Sequence, residues 1–314
     1  MQKVLITDDC DVLLPQGLAA MGYQCDFEPD ITPAETLERI PEYEGLIINS
    51  KILVNREFID KAVQLKFVGR LGSGMEIVDR VYAAEKGVAV LSSPEGNCNA
   101  VAEQALGMLL CLANNILRAD REVRQNSWRR EFNRGFELRG KTIGIIGFGH
   151  TGSRFAEVLS GLGMRILAHD KYKSGFAHNY IGVAEASAAQ IQEEADIISL
   201  HLPLTPETKH YVDHTFIQAC KPGFVLINTS RGHCVRTEDL VEALEAGKIG
   251  GACLDVFENE KTQTRTPAEN SWYERLQKME QVVLTPHIAG WTHESKKLLA
   301  TTLLQKIQAA LSKP

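Results

Sequence analysis

The sequence predicts an α/β protein of two doubly wound parallel-sheet domains with a cleft between them. Three observations carry the prediction. Short apolar runs alternate with helical patterns through the first stretch of chain, the pattern of a parallel sheet covered by helices. A glycine-rich turn at Gly147 joins an apolar strand to an amphipathic helix. Strand-like runs then recur to Leu284 with helical segments between most of them. The chain has 314 residues, enough for two domains of ordinary size, and its 44% hydrophobic content supports a core in each.

In the first domain the runs Val4–Thr7, Gln24–Phe27, Gly45–Ile48, Leu65–Gly69 and Val88–Leu91 read as strands. Pro33–Ile40 and Arg56–Ala62 read as intervening helices, giving a flavodoxin-like unit. Ser92-Ser93-Pro94-Glu95-Gly96 is rich in turn formers and reads as a hinge. A single long helix is expected from Asn99 to Asn126, apolar first and charged later. Six strands follow, at Thr142–Ile146, Met164–His169, Ile197–Leu200, Val225–Asn228, Ala252–Leu254 and Val282–Leu284. Lys261–Gln281 is polar and reads as a surface excursion with one short helix. His293–Leu311 has Leu298, Leu299, Leu303 and Ile307 at helical spacing, and is expected to return to the first domain. The expected division is 1–97 with 290–314, and 98–289.

Gly147-Phe148-Gly149-His150-Thr151-Gly152 is the most informative stretch. The strand before it is Thr142–Ile146, and the helix after it, Ser153 to Leu162, puts Phe155, Val158, Leu159 and Leu162 on one face. Asp170 ends the next strand, eighteen residues past Gly152 (170 − 152). Strand, glycine loop, helix, strand and acid form the Rossmann dinucleotide-binding fingerprint. Gly147 allows the turn, Gly149 lets the backbone approach a pyrophosphate, and Gly152 lets helix and strand pack. The helix N-terminus offers free N–H groups to phosphates. A carboxylate at Asp170 accepts from ribose hydroxyls and repels an added phosphate, so NAD is favoured over NADP; Lys171 and Lys173 soften that preference.

Composition excludes several classes. A net charge of −6 gives no long-range attraction to nucleic acid or to an anionic membrane. Seven cysteines occur singly with no CxxC pair, which argues against a disulfide framework or a zinc site; no metal is expected. The apolar stretch around Ala105 to Leu117 is too short to span a bilayer. A strand-like segment follows Met1 at once, so no signal peptide is expected and the location is read as cytoplasmic.

Three polar residues lie beyond the carboxyl ends of late strands, where open α/β sheets bind ligands. They are Arg231, Glu260 and His287. A guanidinium grips a carboxylate through two hydrogen bonds, an imidazole moves a proton near neutral pH, and a carboxylate beside it favours imidazolium. Each also has a plainer reading. Arg231 could cap a strand-to-helix loop, His287 could be a hydrogen-bonded loop histidine, and Glu260 could belong to a solvated cluster with Glu258 and Lys261.

The motifs Gly140–Gly149, His201-Leu202-Pro203-Leu204-Thr205, Asn228-Thr229-Ser230-Arg231-Gly232, Leu254–Glu260 and Thr285-Pro286-His287-Ile288-Ala289-Gly290 reach a known family. Over nearly its whole length the chain resembles the D-isomer-specific 2-hydroxyacid dehydrogenases, most closely the phosphoglycerate dehydrogenase-like members. The resemblance implies hydride transfer between NAD(H) and a D-2-hydroxy acid or 2-oxo acid. It places the family's catalytic triad on Arg231, Glu260 and His287. It places cofactor contacts on Gly147, Gly149, His150, Thr151, Gly152, Asp170, Leu202, Pro203, Thr229, Ser230, Asp255 and Gly290. It makes the first domain the substrate domain, with substrate contacts on Ser50, Lys51, Gly72, Ser73 and Gly74. The small residues of Gly69–Gly74 let backbone N–H groups approach an anion.

Phosphoglycerate is the first substrate implied, with glyoxylate, hydroxypyruvate or another 2-oxo acid as the alternative. An NADH-binding corepressor-like protein is a third reading. Where phosphoglycerate enzymes carry an arginine after the third strand, this chain has Asn49, so Lys51 or a partner subunit's arginine (129, 130 or 134) would have to replace it. Glu260 is followed by Lys261 rather than proline, and Trp291 follows Gly290 where many relatives have a smaller residue. Ending at Pro314, the chain is expected to lack the regulatory domain some members append. A homodimer is expected, because relatives pair through the region of the long helix.

Overall fold

The computed structural model describes residues 2–312, which fall into two compact units: Met1–Cys98 with Trp291–Pro314, and Asn99–Gly290. The first is a five-stranded parallel sheet. Its strands are β1 (Lys3–Ile6), β2 (Gln24–Phe27), β3 (Gly45–Ile48), β4 (Phe67–Arg70) and β5 (Ala89–Ser92), in the order β2-β1-β3-β4-β5. Helices α1 (Leu13–Ala20), α2 (Pro33–Arg39), α3 (Arg56–Lys61) and α4 (Arg80–Glu85) connect them. Alternation along each strand feeds two cores. Leu5, Leu46, Ile48 and Val68 pack with Ile40, Phe58, Ile59 and Ala83. Val4, Ile6, Ile47 and Phe67 face the other way, onto Leu14 and Leu18. The C-terminal helix, His293–Leu311, completes that second core with Ala300, Leu303 and Ile307.

The second unit has seven parallel strands: β6 (Thr142–Ile146), β7 (Arg165–His169), β8 (Val183–Glu185), β9 (Ile197–Leu200), β10 (Phe224–Asn228), β11 (Ile249–Leu254) and β12 (Val282–Leu284). Their order is β12-β11-β10-β9-β6-β7-β8. The order reverses beside β6, which creates a crevice at the carboxyl ends of β6 and β9. The helices of this unit are α5 (Cys98–Ala113), α6 (Ile116–Arg124), α7 (His150–Leu159), α8 (Ala188–Glu194), α9 (His214–Ala219), α10 (Thr237–Glu245) and α11 (Pro267–Leu276).

Three expectations change. The sheet has a seventh strand, β8, an edge strand of three residues whose last two are exposed, so it lacks the apolar signature of its neighbours. The single helix across 99–126 is two helices bent by 61°. Asn115 sits at the break with φ +53°, a conformation asparagine tolerates. The returning chain fills the break: Phe136 N–H donates to the Ala113 carbonyl at 2.9 Å, and a side chain on Gly135 would overlap that oxygen. The helix after the glycine loop starts at His150 rather than Ser153, with Gly149 as its N-cap, and ends at Leu159 in a 3₁₀ turn, Ser160–Leu162. The excursion after Lys261 holds the one helix expected there, preceded by a 3₁₀ turn. Thr266 and Glu269 form a capping box around Pro267, and Tyr273 and Leu276 are buried. Among the described residues no single helix is long and apolar enough to cross a membrane.

Candidate active site

The glycine loop follows directly from packing. Gly147 has φ +92°, and a side chain there would overlap the His201 carbonyl; one on Gly152 would overlap the Gly147 carbonyl. Gly149 differs, since a side chain there would project into open space in front of α7. No side chain caps α7, so its first N–H groups, at His150, Thr151 and Gly152, face that space. Phe148 stacks on Phe176 at 4.5 Å and meets the Tyr180 ring edge-on at 5.0 Å, which fixes the loop.

Asp170 lies beside this loop. Its carboxylate accepts from Phe148 N–H and from Tyr172 N–H, both at 2.9 Å. The two lysines that follow are engaged: Lys171 pairs with Glu207 at 2.6 Å, and Lys173 donates to the Phe148 carbonyl at 2.9 Å. A dinucleotide therefore meets an open helix N-terminus, a close-approach glycine and an acid at the end of β7. These residues fit the group.

At the end of β9, Leu202 lies against Gly147, and Pro203 accepts from the Thr208 hydroxyl at 2.6 Å. His201, between β9 and Leu202, is half-buried, with its Nδ1 enclosed. Burial pushes its pKa down to about 3, Ser199 Oγ meets its Nε2 at 3.0 Å, and its Nδ1 has no partner. At the end of β10, Asn228 folds the turn. Its Oδ1 accepts from Ser230 N–H and Ser230 Oγ, and its Nδ2 donates to the Arg231 carbonyl at 3.0 Å. The Thr229 hydroxyl is buried without a partner, an orphan that suits a polar ligand atom.

Arg231, Glu260 and His287 line one cavity of about 360 Å³ in the second unit, together with His233, Glu258 and Lys261 among others. The loops after β10 and β11 touch backbone to backbone, because a side chain on Gly232 would overlap Phe257. His287 Nδ1 meets Glu260 Oε2 at 2.9 Å. Burial alone would raise the Glu260 carboxyl. The hydrogen bond and charge of His287, the Phe257 N–H and the Arg231 guanidinium outweigh it and hold that carboxyl below its ordinary range. Arg231 Nη1 donates to the Ser230 carbonyl at 2.7 Å.

Asp255, at the end of β11, is fully buried beneath this set. It accepts from the Thr285 hydroxyl at 2.6 Å and from the Ile288 and Ala289 N–H groups at 2.9 Å each. It thus builds the loop from Thr285 to Ala289 that presents His287 and leads to Gly290. A second carboxylate–imidazole pair, which sequence alone did not single out, braces the neighbouring loop. Glu258 meets His210 Nε2 at 2.7 Å and accepts from Thr237 N–H at 2.7 Å. The asparagine before Thr229 was a readable signal for the turn; His210 and Glu258, forty-eight residues apart, carried none.

In the first unit, Ser50 and Lys51 follow β3, and Gly72, Ser73 and Gly74 follow β4. Arg70 Nε joins the two loops by donating to the Asn49 carbonyl at 3.2 Å. Lys51 Nζ donates to the Pro29 carbonyl at 2.5 Å, and Ser73 Oγ to Asn97 Oδ1 at 3.1 Å. Gly72 has φ +145°, and a side chain there would overlap the Arg70 guanidinium.

Residues 106–289 match the family model for the D-isomer specific 2-hydroxyacid dehydrogenase NAD binding domain. A D-3-phosphoglycerate dehydrogenase of Synechocystis is 36% identical over 311 residues, 99% of this chain and 54% of that protein. A hydroxypyruvate reductase of Thermotoga maritima is 35% identical over 273 residues, 87% of this chain and 86% of that one. The crystal structure of a D-lactate dehydrogenase from Aquifex aeolicus, complexed with NAD and lactic acid, superposes with a TM-score of 0.85 at 27% identity, covering 99% of this chain and 95% of the other. The chain spans about half the length of the phosphoglycerate dehydrogenases it matches. By the family match across most of its second unit and by these relatives, the chain belongs to the D-isomer specific 2-hydroxyacid dehydrogenases.

Proposed function

We propose that the protein interconverts a D-2-hydroxy acid and its 2-oxo acid with NAD(H), and that the oxo acid is phosphohydroxypyruvate. The observation that carries the reading is the His287–Glu260 pair at 2.9 Å in one cavity with Arg231. When bound, NADH supplies the hydride to the carbonyl carbon. The residues supply the rest. With Nδ1 on Glu260, His287 has Nε2 left to protonate the carbonyl oxygen, and the Glu260 carboxylate stabilises the imidazolium that gives up that proton. Arg231 polarises the same carbonyl and grips the substrate carboxylate. In oxidation His287 takes the proton back. Thr229 and Asp170 are assigned to the nicotinamide and ribose ends of the cofactor, and the carboxylate at Asp170 favours NAD.

The first unit is assigned the substrate domain, with the Gly72–Gly74 backbone on the substrate carboxylate and Ser50 and Lys51 nearby. Hydroxypyruvate is the second substrate reading, favoured by the relative that this chain matches over 86% of its length. We also infer a homodimer formed through α5, α6 and the segment after them. Leu117, Trp128 and Phe132 are exposed there on a chain whose other large apolar groups are mostly buried. Sedimentation at micromolar concentration tests it, and a monomer overturns it. Seven unpaired thiols suit a reducing, cytoplasmic location.

The activity is tested by NADH consumption on phosphohydroxypyruvate, hydroxypyruvate and glyoxylate. Turnover that His287→Ala abolishes, with NADH binding retained, supports the reading. Tight NADH binding with no turnover on any oxo acid overturns it in favour of a dinucleotide-binding protein.

A further inference from the structure

The cavity around Arg231 and His287 contains more positive and donor groups than the reaction uses. Glu258 is satisfied by His210 and Thr237 N–H, and Glu260 by His287. Lys261 lines the same cavity, pairs with neither carboxylate, and has no ion-pair or side-chain hydrogen-bond partner among the described residues. His233 lines it too, and its imidazole is likewise without a partner among the described residues. Its position is fixed by the backbone: it is the middle residue of the 3₁₀ turn Gly232–Cys234, and its carbonyl accepts the His210 N–H at 2.7 Å. Lys261 stands at the start of the 3₁₀ turn Thr262–Thr264, with its carbonyl accepting from Thr264. Both side chains thus spring from short, tied turns at the rim where the two loops lock together through Gly232 and Phe257.

We propose that His233 and Lys261 form a second anion subsite that reads a distal anionic group of the substrate, so that the preferred 2-oxo acids carry a second anionic group. This deepens the dehydrogenase reading above and rests on it. Lys261 contributes the charge, and His233 an N–H donor in either protonation state. The Lys261 ammonium, in a cavity also lined by Phe257 and Leu204, gains a partner when such a group arrives. A neutral chain gives it none. Arg231 remains with the reacting carboxylate, so the two ends of a dianionic substrate have separate cationic partners.

The test is a discrimination ratio. Phosphohydroxypyruvate and hydroxypyruvate differ only in the phosphate, and 2-oxoglutarate offers a distal carboxylate in its place. For the wild type, kcat/KM on the better of the two dianions should exceed that on hydroxypyruvate by tenfold or more. In His233→Ala/Lys261→Met that ratio should collapse about tenfold, mainly through KM, and Lys261→Arg should retain it. Whichever dianion loses more identifies the group as phosphate or carboxylate. An equal loss on all three acids, or no change in the ratio, overturns the subsite while leaving the dehydrogenase reading intact. No turnover by the wild type on any of the three overturns the subsite, and no turnover on glyoxylate or any other oxo acid overturns the dehydrogenase reading as well.

Discussion

Asp255 holds His287 in a left-handed backbone conformation: its carbonyl accepts the His287 N–H at 2.8 Å, and φ at His287 is +56°. A non-glycine residue in that region is strained by about 1–2 kcal/mol and persists only when its surroundings hold it. The buried Asp255 carboxylate does the holding, through Ile288, Ala289 and Thr285. Asp255 thereby acts on His287 as a positioning residue.

Asp255→Asn should therefore damage geometry before chemistry. One carboxylate oxygen becomes an NH₂ that faces an N–H donor, and a buried charge-assisted hydrogen bond is lost. Such bonds contribute about 1.5–3 kcal/mol, so unfolding midpoints in denaturant should fall accordingly and kcat should fall at least tenfold. Retained kcat in a destabilised but folded variant would show that the loop holds itself.

Glu260→Gln separates charge from hydrogen bonding at the same pair. Glutamine keeps an acceptor for Nδ1 but removes the charge that favours imidazolium. Reduction should slow tenfold or more, with NADH affinity unchanged in fluorescence titration. The sign for pH follows from the lowered Glu260 carboxyl. The ion pair contributes fully above the ordinary value near 4.5 and is lost as pH falls through the lowered folded value. Acid inactivation of the wild type should therefore set in below pH 4.5 at this pair, and the variant should lack that phase.

What the sequence made legible was local. The glycine fingerprint sits within six residues, and each glycine's role follows from spacing. Arg231, Glu260 and His287 were candidates because each follows a recognisable strand, but each alone also allowed a plainer reading, and it was the family resemblance that assigned them the triad. The missed features depend on distant chain. The break at Asn115 depends on Gly135 and Phe136 returning to Ala113. The Glu258–His210 brace joins loops with no shared motif. Asp255 was visible within its motif, but its grip on residues 285–289 exists only once β11 and β12 are paired.

His201 predicts an acid-sensitive fold. Its folded value near 3 lies well below the ordinary 6.5, because burial disfavours the imidazolium. The unfolded chain then binds a proton that the folded chain refuses. Stability is complete above 6.5 and falls as pH drops from 6.5 towards 3, by up to about 1.4 kcal/mol per pH unit from this one group. Denaturant unfolding of wild type and His201→Gln across that window checks it. The variant starts lower, since it disturbs a packed site, but its slope against pH should be shallower by about one proton. Parallel slopes would mean that His201 is protonated in the folded protein.

Two glycines of the loop should fail in different ways. A side chain at Gly152 would overlap the Gly147 carbonyl, which is backbone and cannot swing aside, so Gly152→Ala must push α7 away from β6. It should lower thermal stability and weaken NADH binding together. Gly149→Ala meets nothing in the protein and its backbone has negative φ, so the fold should melt within about a degree of the wild type. Its methyl instead occupies the space before the α7 N-terminus, where a pyrophosphate would sit. NADH binding should then fall tenfold or more in calorimetric titration, with 2-oxo acid turnover recovering at high NADH. Unchanged NADH affinity in Gly149→Ala would show that the dinucleotide does not cross this helix end.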